Sequence, residues 1–217
     1  MIKIVPTILT DTPENFNQIT ESYTKFADRI QLDISDGQFS QYPTVKLEEI
    51  SFPTDWKGEW DIHMMVKSPS LYLQTILNLK PSLCIFHAEC DENLLPIFEQ
   101  LSQAGIKTGV AILRSTFPGN IKPYIEASDH VLIFGGSLGQ QGGEANLVQL
   151  EKASIIKEID PNVEIGWDGG ANLENVRAIA HANIDVINVG SAISRAENTA
   201  DAYNELLAET EKTGVNI

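Results

Sequence analysis

Eight short apolar runs rich in β-branched residues recur along the chain, and each is followed by a longer stretch with helical spacing, weakest after the second run. Strand followed by helix, repeated without a second strand signal between, describes a parallel sheet whose crossovers are helical. The runs predict strands at Lys3 to Leu9, Arg29 to Ile34, Asp61 to Val66, Leu83 to His87, Thr108 to Leu113, His130 to Phe134, Glu164 to Trp167 and Asp185 to Val189. The spacing between them predicts helices over Pro13 to Lys25, Pro69 to Leu79, Asn93 to Ala104, Ile121 to Glu126, Asn146 to Glu158, Leu173 to Ala182 and Thr199 to Thr213. Thr12-Pro13-Glu14 offers a cap with proline in the first turn, and Gly105 follows the helix ending at Ala104. Eight such units within 217 residues predict an α/β chain folded as one (β/α)8 TIM barrel domain over 1–217. A doubly wound sheet needs fewer strands and usually a glycine-rich first turn, where this chain has Pro6-Thr7-Ile8-Leu9.

Composition narrows the partners. With 30 acidic against 15 basic residues the net charge is −15, while 42% of the chain is hydrophobic. That balance speaks against nucleic acid or an anionic membrane surface as partner, and against an acidic disordered chain. A phosphorylated substrate would meet an opposing field, so backbone dipoles or a metal must offset it locally. Cys84 and Cys90 are too few for a disulfide framework. Pro6 arrives too early for a signal peptide, and no window is apolar enough to span a bilayer, so a cytoplasmic protein is expected.

In this barrel type the chemistry sits at the C-terminal ends of the strands. Strand two reads Gln31-Leu32-Asp33-Ile34-Ser35-Asp36-Gly37, with Gln31, Asp33 and Ser35 alternating onto one face. An acid on the inner face of an apolar strand is costly to bury unless it is paired or binds a cation. Strand three places His63 and Met65 on one face, and strand seven ends Trp167-Asp168-Gly169-Gly170. Asp33, His63 and Asp168, with Gln31 as a fourth member, can form a metal site whose two carboxylates move a proton on and off a carbon acid. The plainer alternative makes the two aspartates loop caps and His63 a satisfied core histidine. Glycines 135, 136, 139, 142 and 143 after strand six, Gly169-Gly170, and Gly190-Ser191 after strand eight can present backbone N–H groups to a phosphate, or simply make turns.

Taken in order, Val5-Pro6-Thr7-Ile8-Leu9, Leu32-Asp33-Ile34-Ser35-Asp36-Gly37, Asp61-Ile62-His63-Met64-Met65-Val66, Phe86-His87-Ala88-Glu89, Trp167-Asp168-Gly169-Gly170 and Val189-Gly190-Ser191-Ala192-Ile193 resemble the ribulose-phosphate 3-epimerase family over nearly the whole chain. The resemblance implies inversion at C3 of a ketopentose phosphate, interconverting ribulose 5-phosphate and xylulose 5-phosphate through an enediolate. It implies Asp33 and Asp168 as acid/base pair and metal ligands, His63 as a further ligand, and Thr7 and Met65 on the substrate side. Gly139, Gln140, Gln141 and Gly142, with Gly169, Gly170, Gly190 and Ser191, would bind the phosphate.

Several positions depart from the family. Gln31 stands where a histidine ligand is usual, which favours Mn²⁺, Mg²⁺ or Fe²⁺ over Zn²⁺, or weak zinc, or no metal. Ser35 and Phe134 replace apolar-cap methionines, Ser137-Leu138 replaces Glu-Pro, and Gly139-Gln140-Gln141-Gly142 replaces Gly-Phe-Gly-Gly. A binder of sugar phosphates that has lost the metal site and turnover is therefore the alternative. A decarboxylase or aldolase on a related barrel is disfavoured, because Asp61, His63 and Val66 do not make the Asp-x-Lys-x-x-Asp arrangement. His87 and Glu89 either line the pocket mouth or satisfy loop backbone, while His130 and His181 read as structural. Trp56 and Trp60 read as packing or an interface, and Arg114 as a surface residue. The resemblance is compatible with a homo-oligomer.

Overall fold

The computed structural model describes residues 2–136, 138 and 142–212. Eight parallel strands close in chain order into a barrel. They are β1 (Lys3–Ile8), β2 (Arg29–Ser35), β3 (Glu59–Met65), β4 (Leu83–His87), β5 (Lys107–Ile112), β6 (His130–Phe134), β7 (Glu164–Asp168) and β8 (Val186–Val189). The helices are α1 (Pro13–Tyr23), α2 (Leu73–Leu79), α3 (Leu95–Gln103), α4 (Lys122–Glu126), α5 (Glu151–Ile159), α6 (Val176–Ala180), α7 (Ser191–Ser194) and α8 (Thr199–Thr210). Thr12 caps α1 by accepting from Asn15 N–H, as the Thr-Pro-Glu pattern predicts. No helix among the described residues is long and apolar enough to cross a membrane.

Helix lengths differ from the periodicity reading in four places. The stretches over 69–79, 121–126 and 146–158 each begin as a 3₁₀ turn, with the α-helix proper starting later. Over 173–182 the α-helix covers only Val176–Ala180. The connection from β2 to β3 contains only the 3₁₀ turn Leu47–Glu49. An aromatic cluster occupies that flank: Phe52 meets Phe16 edge-on at 5.5 Å, Trp60 at 4.7 Å and Trp56 in a stack at 5.5 Å. Trp56 and Trp60 therefore pack here, and Trp56 Nε1 donates to the Ala27 carbonyl at 3.3 Å.

The strand pleat sorts side chains between two cores. Leu32, Ile34, Ile62, Met64, Cys84 and Phe86 join the large core beneath the helices. Leu83, Ile85, Ala111 and Leu132 form a small separate core inside the barrel. Beyond the latter, the N-terminal ends of β2, β3, β6 and β7 hold a buried polar cluster. Arg29 Nε donates to Asp61 Oδ2 at 2.7 Å, and its Nη atoms grip both oxygens of Glu164 at 3.1 and 3.0 Å. His130 Nδ1 lies 2.8 Å from Glu164 Oε1, which gives this histidine a structural place far from the strand C-terminal ends. Burial pushes the Asp61 carboxyl up to about 6 even though Arg29 opposes it. Replacing Arg29 with methionine leaves Asp61 without its hydrogen-bonding cation and Glu164 with His130 alone. Arg29→Met is expected to lose about 3–5 kcal/mol of stability, measured by urea unfolding at neutral pH.

Candidate active site

Register places the polar strand residues side by side. Asp33 pairs with His63 and Ser35 with Met65 across β2 and β3, Thr7 with Gln31 across β1 and β2, and Asp168 with Asn188 across β7 and β8. Because alternate residues face inward, these pairings converge at the C-terminal end of the barrel. Gln31 is fully buried, and its Nε2 donates to Asp33 Oδ1 at 2.9 Å and to Asp168 Oδ2 at 2.7 Å. His63 Nδ1 lies 3.0 Å from Asp33 Oδ1 and 3.7 Å from Asp168 Oδ2.

Electrostatics separate the two acids. Burial, and next the charge of Asp33, push the Asp168 carboxyl well above the usual carboxylate range, against the opposing pull of His63 and Gln31. Burial alone would depress the His63 imidazole, but the hydrogen bond and charge of Asp33, with the charge of Asp168, outweigh it and raise its pKa.

The donor set suits a divalent ion. Ligating atoms of Asp33, His63 and Asp168 all lie within 4.8 Å of one another. Metal bonds of about 2.0–2.2 Å place neighbouring ligand atoms roughly 3–3.5 Å apart, so a small outward adjustment accommodates an ion. Two buried acceptors nearby on the barrel wall, Gln31 Oε1 and Asn188 Oδ1, have no partner among the described residues. Gln31 presents its NH₂ to the carboxylates, so service as a ligand requires a half-turn of the amide.

Above this cluster lies one cavity. Thr7, Met65 and Phe134 line it together with the acids and His63, and Gly169, Gly170, Gly190 and Ser191 form its far side with Gly142. Gly139, Gln140 and Gln141 lie outside the described residues. Ser35 does not line the cavity, because its hydroxyl turns to Ser40 Oγ at 2.6 Å and accepts from Gly37 N–H at 3.2 Å. Phe134 faces His63 and His87, with ring centroids 6.1 and 6.0 Å away.

Two loops make the cavity rim by close backbone approach. At Gly169, with φ +113°, an added Cβ would fall 2.1 Å from Gly136 N, and at Gly170, with φ +72°, 2.4 Å from Ala145 N. Gly135 N–H donates to the Asp168 carbonyl at 2.7 Å, locking the end of β6 to the end of β7. Arg114 is exposed along its stem, as read from the sequence, yet its guanidinium donates to the carbonyls of Gly135 and Glu144 and braces this loop.

Three participants escaped the sequence reading. Asn188 is the lone amide in the apolar strand Val186-Ile187-Asn188-Val189, the same signal that singles out Asp33. Arg195 lies against the loop, its Nη1 3.1 Å from where a Cβ on Gly142 would stand. Phe39 covers the His87 ring at 4.7 Å. No local pattern marks the last two.

Residues 3–194 match the model of the "Ribulose-phosphate 3 epimerase family". The chain belongs to this family. A ribulose-phosphate 3-epimerase of Schizosaccharomyces pombe is 27% identical over 210 residues, covering 94% of this chain and 92% of that one. One of Helicobacter pylori (strain ATCC 700392 / 26695) is 26% identical over 204 residues, covering 91% and 93%. Family and relatives together support an epimerase-like function. Among solved structures, 3-hexulose-6-phosphate synthase from Salmonella typhimurium superposes with a TM-score of 0.70 at 15% identity over 96% of this chain and 98% of that one, a likeness of fold.

The rim geometry carries its own expectation. Gly169→Ala combines a strained φ with a backbone clash, and is expected to cost at least about 2 kcal/mol in urea unfolding. An unchanged midpoint would mean that the rim relaxes freely.

Proposed function

We propose that this barrel is a ketose-phosphate 3-epimerase, acting on ribulose 5-phosphate or a closely related ketose phosphate by two-base proton transfer. The observation that carries the reading is the pair of acids joined through the Gln31 amide, one of which burial keeps protonated more readily than usual. Asp33 takes the proton from C3 on one side, and Asp168 returns a proton to C3 from the other. In the reverse direction the roles exchange, so the same two oxygens serve both epimers. Met65 and Phe134 cover the reacting carbon with apolar surface and limit its exchange with water.

Asp33, His63 and Asp168 would hold a divalent cation (Zn²⁺, Mn²⁺, Fe²⁺ or Mg²⁺), and Gln31 would join them through its amide oxygen. When bound, the cation supplies positive charge beside the oxygens of the enediolate. Thr7 offers a hydroxyl to the sugar. The phosphate would lie at the glycine rim, where backbone at Gly142, Gly169, Gly170, Gly190 and Ser191 would surround it. Arg195 contributes a positive charge there beside that of Arg114, in a chain of net charge −15.

A sugar-phosphate binder without turnover is the second reading, favoured by the Gln31 NH₂ that faces the acids in place of a ligand atom. The two readings part on solvent exchange at C3. Asp33→Asn and Asp168→Asn are each expected to lower deuterium incorporation into ribulose 5-phosphate by about 10²–10⁴-fold. Parent protein that binds the sugar yet shows no exchange with any of the four cations supports the binder, and exchange retained by both variants overturns the two-base assignment. Arg195→Ala is expected to raise KM about tenfold with kcat retained, equivalent to ~1.4 kcal/mol of phosphate binding.

A further inference from the structure

Behind His63 runs a line of side chains whose hydrogen bonds can be assigned one by one. Glu89 accepts at Oε1 from Leu113 N–H at 2.9 Å and from the Thr116 hydroxyl. Its Oε2 faces His87 Nδ1 at 3.4 Å. An ionised carboxylate only accepts, so the facing Nδ1 carries a proton. His87 has no exposed surface, and a buried imidazole keeps a single ring proton at least cost, which leaves its Nε2 a lone pair. That lone pair is 2.9 Å from His63 Nε2, a distance at which one nitrogen must donate. The proton therefore sits on His63 Nε2, and His63 Nδ1, turned to Asp33 and Asp168, is the nitrogen that receives a cation.

We propose that Glu89 and His87 are positioning residues that fix a proton on His63 Nε2, so that Nδ1, set between the two aspartates, is the ring nitrogen that exchanges its proton for a cation. The lock opposes a real competitor. Two carboxylates beside Nδ1 would otherwise draw the single proton of the neutral His63 ring onto that atom, where it stands in the way of a metal. The ring of His87 cannot turn away easily, because Phe39 lies over it at 4.7 Å and Phe134 meets it edge-on at 6.0 Å. Neither Glu89 nor His87 lines the substrate cavity, so their effect reaches the reaction only through His63. The use of Nδ1 as a metal ligand rests on the cation site proposed above, whereas the proton on Nε2 does not.

The test begins with the parent protein, metal-free and ¹⁵N-labelled on histidine, so that no variant has to fold. Long-range ¹H–¹⁵N spectra are expected to show a protonated Nε2 on His63, a protonated Nδ1 on His87 and an unprotonated Nε2 on His87. An unprotonated Nε2 on His63 overturns the lock. Zn²⁺ affinity by competition with a chromophoric chelator supplies the second readout. His87→Leu is expected to bind about 10–100-fold more weakly, and His87→Gln, whose amide oxygen can still accept from His63 Nε2–H, to stay within about threefold of the parent. Equal affinity in a folded His87→Leu protein, or no rescue by glutamine, also overturns it. A parent that shows the expected protonation but binds no Zn²⁺ supports the lock and sinks the cation site instead.

Discussion

One nitrogen of Gln31 donates to two carboxylates on opposite flanks of β1 and β8, 2.9 Å from Asp33 and 2.7 Å from Asp168. Like charges so close in a buried place repel strongly, and the repulsion is relieved by donors, by a shared proton or by a cation. The neighbouring groups supply that relief: the Gln31 amide from below, His63 from the side, and the raised pKa of Asp168 itself. Closure of the barrel makes the arrangement possible, because β1 and β8 sit between β2 and β7 and bring residues 135 positions apart in sequence into one polar layer. A flat sheet with the same strands would hold Asp33 and Asp168 apart.

The barrel interior divides along its axis. At the N-terminal end Arg29 ties Asp61, Glu164 and His130 into a buried floor, while Leu83, Ile85, Ala111 and Leu132 fill the next layer with apolar volume. The C-terminal end opens into the cavity. The two polar clusters differ in what satisfies them. In the floor, a guanidinium reaches three carboxylate oxygens of Asp61 and Glu164. At the cavity end no Arg or Lys among the described residues bonds to the aspartates, and the groups that meet them are an amide and an imidazole. The two polar clusters thereby sit at separate ends of one sheet.

Much of the fold was legible because parallel strands buried on both faces read as apolar runs, and all eight were found within two residues of their observed ends. The connection after β2, where helical spacing is weakest, carries no α-helix: Phe52, Trp56 and Trp60 cover that flank instead, and aromatic packing of this kind has no period. In the site, Asp33, His63 and Asp168 were legible as polar residues ending apolar strands. Phe39, Arg195 and the bracing role of Arg114 were not, since each acts across a gap of many residues with no spacing rule.

The sequence by itself determined the parallel eight-stranded architecture, the strand ends that carry acids and histidine, and the family, because side-chain alternation and apolar runs are local properties of the chain. Only the tertiary structure decided which atoms of those residues meet. It turned the Gln31 NH₂ toward two carboxylates, drew Ser35 away toward Ser40, and set His87 and Glu89 behind His63 instead of at the cavity mouth. Such choices depend on register and on distances of a few tenths of an ångström between strands, and hydrogen-bond direction is settled by geometry that residue identity alone does not contain.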